Sequence, residues 1–365
     1  MSFKKEVRKV IKRVPALQNW LNQRAEQRYI RQRIKRYPQL HWQSAPPCPQ
    51  NRVEAARMQV GSKLFVFGGY VTIGCVSQRV DCFDLETHQW QQVATLPDDA
   101  AQTHNGCAYD GKHHIYLIAG QLGANCSPVS ANCYAFDTRS YQWTRLPPLP
   151  VGRYMPLVHY TKGRIHCLSG SMPDRISSAH EHWSIAVTGD QYTENEWREE
   201  APLPLPRTHT GSHVIDDELL VFGGQTGDVP AIEGSPDYLC NFDTPSDAVL
   251  DECYAFNLYS GELRMLQPMP VKLSHSEHAV LQLGSKIILA GGALDRMRMS
   301  DLIFTYDIEH DTWAELGRLP YPMKSKVTAV YADHLYIATG QRSVSEENLL
   351  PGQVLDAVWH APLPS

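Results

Sequence analysis

The chain has 365 residues, of which 42% are hydrophobic and 20% charged, with 24 Gly, 25 Pro, 17 Tyr and a net charge of −5. This balance excludes a disordered or fibrous chain and suits a turn-rich β protein, and no apolar run reaches the roughly 20 residues of a bilayer-crossing helix. The charge is uneven: residues 1–38 hold twelve Lys/Arg against two Glu, a net +10, which leaves −15 on the remainder.

The first element in chain order is that basic segment. Phe3, Val7, Val10, Val14, Leu17 and Leu21 recur at alternating steps of four and three, with Ile30 and Ile34 continuing an apolar stripe beyond Pro15. The spacing predicts a basic amphipathic helical arm over residues 1–38, broken at Pro15 and followed by a separate body over 39–365. Three roles fit it: packing on the acidic body, lying on an anionic membrane surface through residues 2–38, or docking on a partner. Nucleic acid is excluded as a partner because the body is acidic and offers no extended basic groove. The segment lacks the continuous apolar core of a signal peptide, so the expected location is cytoplasmic, or peripheral at a membrane.

The body repeats. Short apolar stretches end in glycine at "LFVFGGY" (64–70), "IYLIAGQ" (115–121), "IHCLSGS" (165–171), "LLVFGGQ" (219–225), "IILAGGA" (287–293) and "LYIATGQ" (335–341). An aromatic-Asp pair then precedes a Trp by six residues in "FDLETHQW" (83–90), "FDTRSYQW" (136–143) and "YDIEHDTW" (306–313). "FNLYSGEL" (256–263) keeps the frame with Leu263 in the Trp position, and a proline-rich exit follows each unit. Each unit reads as four short antiparallel strands, whose sheet cannot bury both faces alone and must pack on its neighbours. After Gly340 the chain supplies one more strand, "VLDAVWHA" (354–361), while "LHWQSAPPCP" (40–49) has the Trp-then-proline form of a fourth strand. The N-terminal strand is therefore expected to complete the last unit and close a ring of six.

These motifs resemble kelch repeats over about residues 40–361. The resemblance implies an all-β fold, a six-bladed kelch propeller closed by the N-terminal strand and preceded by the basic arm. Kelch proteins include actin binders, ubiquitin-ligase adaptors and a few enzymes, so the fold alone does not carry function. Among the enzymes the chain is most similar in size and blade number to the N-acetylneuraminate epimerase (mutarotase) group. That group places a Glu after a blade glycine pair, where this chain has Gln121, Gln225 and Gln341, the last beside Arg342.

The connections that lead into each unit carry the candidate site. "PRTHTGSH" (206–213) packs an arginine and two histidines into one of them. Counting back from each last glycine aligns Arg52, Arg153, Arg207 and His275 at one level and Glu54, His104, His209 and Glu277 at the next. The first set, with Gln121, Gln225 and Gln341, reads as ligand-binding: a cationic funnel for an acidic sugar or polysaccharide, or for an acidic partner protein. Glu54, His104, His209 and Glu277 are the candidate catalytic set, because carboxylate–imidazole pairs exchange protons near neutral pH. The competing reading has these side chains bonding backbone and filling a narrow channel. His213, matched by His159, is read as structural.

Binding without catalysis is the reading adopted, with a sugar-acid mutarotase, epimerase or lyase as the alternative. The four Glu/His residues also offer an N/O donor set for a metal, but no metal and no cofactor is the expectation. The insertion over 226–252 is either a solvated loop or a lid that binds a partner. Nine cysteines without a C-x-x-C pair are expected to be reduced. Cys75/Cys82, Cys126/Cys133 and Cys240/Cys253 are the first bridges to test were the protein exported.

Overall fold

A computed structural model describes residues 40–125, 128–227 and 246–364. The expected helical arm over 1–38 and most of the 226–252 insertion lie outside the described residues. Among those described, the one helical turn is Asp295–Met297, and the rest is strand and connection.

Six antiparallel sheets of four main strands follow one another along the chain. The first is Ala56–Val60, Lys63–Phe67, Arg79–Asp84 and Gln89–Thr95, paired in that order. The second to fifth repeat this meander from Gly106, Leu157, Gly211 and Val280, and the third gains a fifth short strand at Gln191–Tyr192. In the sixth, Val327–Tyr331 and His334–Ala338 pair with Val358–Pro362, whose outer edge takes Gln43–Ala45 from the start of the body. The strand expected over 354–361 is split: Pro351–Val354 pairs instead with Gln341–Ser343.

Local chemistry explains the repeat. The Asp of each aromatic-Asp pair caps the outer hairpin: Asp84 Oδ1 accepts from the amides of Glu86 and Thr87, both at 2.9 Å. Asp137, Asn257 and Asp307 do the same in their sheets. These are Asx turns, which hold the hairpin without help from its neighbours. The Trp six residues later reaches the preceding sheet. Trp90 Nε1 donates to Pro46 O at 3.0 Å, Trp143 to Thr95 O at 3.0 Å, and Trp197 to Pro147 O at 2.9 Å. Trp313 donates to Gln267 O at 2.9 Å and Trp42 to Arg318 O at 2.7 Å. In the fourth sheet Leu263 stands in this place and brings no donor.

The inner strands are sealed at the axis by their glycines. Gly69 N donates to Gln102 O, Gly120 N to Arg153 O, Gly170 N to Arg207 O and Gly224 N to Leu273 O, at 2.7–3.2 Å. Gly340 N donates to Arg52 O at 2.8 Å, which ties the sixth sheet to the first. The donating position leaves no room for a side chain: a Cβ on Gly170, at φ +82°, would lie 2.5 Å from Tyr154 O. Between sheets the side chains form the core, as where Trp42, Leu281, Leu319, Tyr321, Leu335 and Trp359 pack together.

Trp42→Ala removes both a buried indole and its bond to Arg318. The expected loss is about 3–5 kcal/mol in chemical denaturation, the usual range for deleting a buried aromatic. A loss under about 1 kcal/mol would mean that the N-terminal strand is not integral to the sixth sheet.

Candidate functional site

Isolated bridges set the frame at the axis: Val53 pairs with Tyr70, Thr103 with Gln121, Tyr154 with Ser171, Thr208 with Gln225 and Ser274 with Ala293. The residue after each is in the left-handed region, Glu54 at φ 56°, His104 at 57°, Met155 at 46°, His209 at 50° and His275 at 54°, as is Ser325 at 49°, which follows the Lys324–Gln341 pair. Their backbones are linked around the axis. His104 N donates to Glu54 O at 3.4 Å and Met155 N to His104 O at 2.8 Å. His275 N donates to His209 O at 2.8 Å and Ser325 N to His275 O at 3.4 Å.

This frame corrects the alignment of the fifth sheet. His275 belongs beside Glu54, His104 and His209, and Leu273 stands at the arginine level. A turn closed by Ala279 N→Ser276 O at 3.0 Å inserts extra residues before Val280, so a fixed count back from the glycine stops short, at His275 instead of Leu273. Glu277 consequently lies within that turn, one step below the ring.

The three arginines do not form a cationic funnel. Arg52, Arg153 and Arg207 are at most 1% exposed. Arg52 pairs with Asp81 through Nη2 and donates to Gly68 O through Nη1 at 3.2 Å. Arg153 pairs with Glu181 at 2.9 Å and stacks on Trp183 at 4.6 Å. Arg207 donates to Gly223 O at 3.0 Å and Glu252 O at 2.9 Å, pairs with the Glu252 carboxylate at 3.2 Å, and covers Tyr254. For Arg52 and Arg207 the physical reason is that the left-handed Gly68 and Gly223 turn their carbonyls into a buried space, and a guanidinium is the donor long enough to reach them. The glutamines are likewise engaged. Gln121 donates to the Tyr70 hydroxyl and to Gly123 O, while Arg175 donates to its oxygen at 3.1 Å. Gln225 donates to Gly227 O at 3.2 Å and Gln341 to Gly352 O at 3.1 Å.

The candidate catalytic residues do meet, as a buried plug at the axis. His209 Nδ1 lies 2.7 Å from Glu277 Oε1. The His209 ring stacks on His275 at 4.0 Å with an 8° tilt, and its centroid is 5.8 Å from that of His104. His104 and His275 each face a hydroxyl through Nδ1, from Thr103 and Ser274 respectively, at 3.0 Å. Glu54 Oε1 accepts from Ser325 Oγ at 2.7 Å and Lys324 Nζ at 3.2 Å. Burial lowers His104 and His275 well below the usual imidazole value, so these two are neutral at pH 7. Burial opposes the Glu54 charge, but the Lys324 ammonium is the leading opposing influence and its carboxyl is held well below the ordinary range.

Two lysines escaped the sequence reading. Lys324 and Lys326 flank Ser325 in "MKSKV", and both are buried. Lys326 Nζ has no hydrogen-bond partner, and burial pushes its amine down to about 7, against the pull of Glu277 and Glu54. The signal available was two lysines flanking the position that matches Glu54. Below the plug, a cavity of about 270 Å³ runs between the first strands, lined among others by Arg57, His159, His213, Glu277, His278 and Gln282. Two of its histidines make structural bonds, His159 to Ser212 at 2.8 Å and His213 to Gln282 at 2.9 Å, while His278 Nε2 is buried with no hydrogen-bond partner. The seven described cysteines are free; Cys126 and Cys240 lie outside the described residues.

Residues 31–224 match the family described as the KLHDC2/KLHL20/DRC7 Kelch-repeats domain. A kelch repeat-containing protein of Arabidopsis thaliana is 33% identical over 332 residues, 89% of this chain and 77% of its own length. The chain belongs to the kelch-repeat family. A kelch-like protein of Aspergillus terreus is 26% identical across 82% of this chain and 64% of its own length. Kelch-like protein 25 of Xenopus tropicalis is 24% identical across 75% of the chain, which spans 42% of that protein. This kelch domain thus carries its repeat signature in the glycines, Asx turns and tryptophans described above.

Two outcomes test the site's electrostatics. Asp81→Asn leaves the Arg52 cation buried without its partner, and a loss of about 3–5 kcal/mol is expected in denaturant titration. An unchanged midpoint would free Arg52 for a ligand role. For pH, burial pushes His159 and His166 down to about 3 and His182 and His278 to about 4, from an ordinary 6.5. Depressed imidazoles contribute stability that is complete above 6.5 and drains as pH falls through their folded values. Lys326 adds a rise above about 7. Buried thiols raised to about 12, Cys107, Cys133 and Cys253, reverse the trend above their ordinary 9.0. Melting temperature should therefore climb from about pH 4 to about pH 8 and fall beyond about 9; a flat profile between 4 and 6.5 would contradict neutral imidazoles.

Proposed function

We propose that this kelch domain is a protein-interaction module rather than an enzyme, its six sheets forming the blades of one closed ring that presents a loop-bearing end to a partner. Support for closure comes from both rims of the first and last sheets: Gly340 N to Arg52 O inside and Trp90 Nε1 to Pro46 O outside. The observation that carries the functional reading is the state of the axis. Glu54, His104, His209 and His275 are at most 5% exposed, and each is held by its neighbours. A general base needs its proton within about 2.6–3.2 Å, and a sugar ring does not reach that depth through packed side chains. The acidic-sugar reading also loses its three arginines, whose charges are already paired.

What remains free to vary is loop. The 226–252 insertion follows Gln225 at the ring end, is acidic and rich in Pro and Gly, and suits docking on a partner. The +10 segment over 1–38 supplies a second, separate attachment, to an anionic membrane surface or an assembly, because clustered Lys/Arg gain about 1 kcal/mol each near anionic lipid. No described helix is long and apolar enough to cross a membrane.

Pull-down with the full chain from its source cells tests the docking end. Captured protein should be lost when residues 228–245 become a short Gly/Ser linker and retained in His104→Ala/His209→Ala. The reverse pattern would return the function to the axis. For the arm, the full chain should sediment with phosphatidylserine-containing vesicles at low salt, and the chain lacking 1–38 should not. Equal sedimentation of the two would remove the membrane tether.

A further inference from the structure

We propose that Glu54, His209 and Glu277 bind a divalent first-row transition-metal ion at the propeller axis. Each brings one donor atom, and the three atoms lie within 4.8 Å of one another. The three side chains are 6%, 4% and 9% exposed. One oxygen of each carboxylate is engaged, Glu54 Oε1 by Lys324 and Ser325 and Glu277 Oε1 by His209. The other oxygen of each, Oε2, is buried with no hydrogen-bond partner. Burying an anionic oxygen without a donor is unfavourable, and a shared cation satisfies both at once.

The donor chemistry narrows the ion. Two carboxylates and an imidazole suit manganese, iron(II) or zinc, and the absence of a thiolate argues against copper(I). Metal–ligand bonds of about 2.0–2.2 Å put donors roughly 3–3.5 Å apart, so closure from the observed separation needs side-chain rotation and no movement of the blades. Because Glu277 also lines the axial cavity of about 270 Å³, the remaining coordination positions face room for water or a small oxygen ligand. Lys326, buried nearby without a hydrogen-bond partner, is the competing positive charge.

Chelator-stripped full chain titrated with Mn²⁺, followed by the loss of the free-ion electron paramagnetic resonance signal, tests this directly. One ion per chain is expected to bind, with Glu277→Gln and His209→Ala each weakening the affinity by about tenfold or more and the surface change Asp295→Asn leaving it unaltered. No stoichiometric binding of Mn²⁺, Co²⁺ or Zn²⁺ to the wild-type chain overturns the proposal, as does undiminished binding in both site variants. Should those variants fail to fold, the Co²⁺ spectrum of the wild-type chain decides. Ligand-field bands without thiolate charge transfer support the site, and a thiolate band overturns it.

Discussion

The donation from a blade glycine amide to the carbonyl of the residue that opens the next blade is the constraint on which the rest depends. It favours glycine, because a Cβ there would crowd the segment entering the strand to within 2.5–2.9 Å, and it fixes that carbonyl in space. With the carbonyl fixed and the next residue bridged to the strand, the chain can turn into its first strand only through a left-handed step. That step falls on Glu54, His104, Met155, His209, His275 and Ser325. A left-handed conformation costs a non-glycine residue of order 1–2 kcal/mol, and the glycine donations to Arg52, Gln102, Arg153, Arg207 and Leu273 hold the segments in which five of these residues lie. The polar axial cluster is thus a consequence of how the sheets are joined.

The buried arginines follow from the same constraint. Gly68 and Gly223, both left-handed, turn their carbonyls away from the strand ladder, and Arg52 and Arg207 supply the missing donors. Each guanidinium then needs a counter-charge of its own. Asp81, Glu181 and Glu252 provide it, and Trp183 and Tyr254 provide the flat faces. An arginine at this point of a kelch unit is accordingly evidence about the backbone of its own blade before it is evidence about a ligand.

This explains what the sequence made legible. Glycine pairs, Asx-turn aspartates and interlocking tryptophans act over a few residues and leave a regular print, so the repeat and its all-β class could be read directly. The meeting of Glu54, His104 and His209 was also legible, because matched positions in the repeat lie at equal depth, whereas Glu277 joins them from the turn below. Where spacing changes, the method fails. The turn at Ser276–Ala279 shifted His275 into the ring and Glu277 below it, and no residue in "SHSEHA" announces that turn. Direction is the second limit: spacing put Arg207 and His209 at neighbouring levels but did not say that one faces its blade and the other the axis. Lys324 and Lys326 were missed because lysine on a candidate strand reads as solvated, whereas here both are enclosed.

The axis gathers buried carboxylates, imidazoles and lysines that are only partly satisfied by one another. Glu54 faces Lys324, Glu277 faces His209, and two further imidazoles are kept neutral by burial, while Lys326 Nζ has no hydrogen-bond partner. Such a cluster tolerates little change, since removing either member of a pair leaves a charge stranded in low dielectric. Variation compatible with the ring is therefore confined to the connections that emerge from it, and those are the surfaces able to acquire a partner without disturbing the joints between blades. On the proposed reading, recognition at the loops and a fixed polar axis are two sides of one construction, the second leaving the loops free to change.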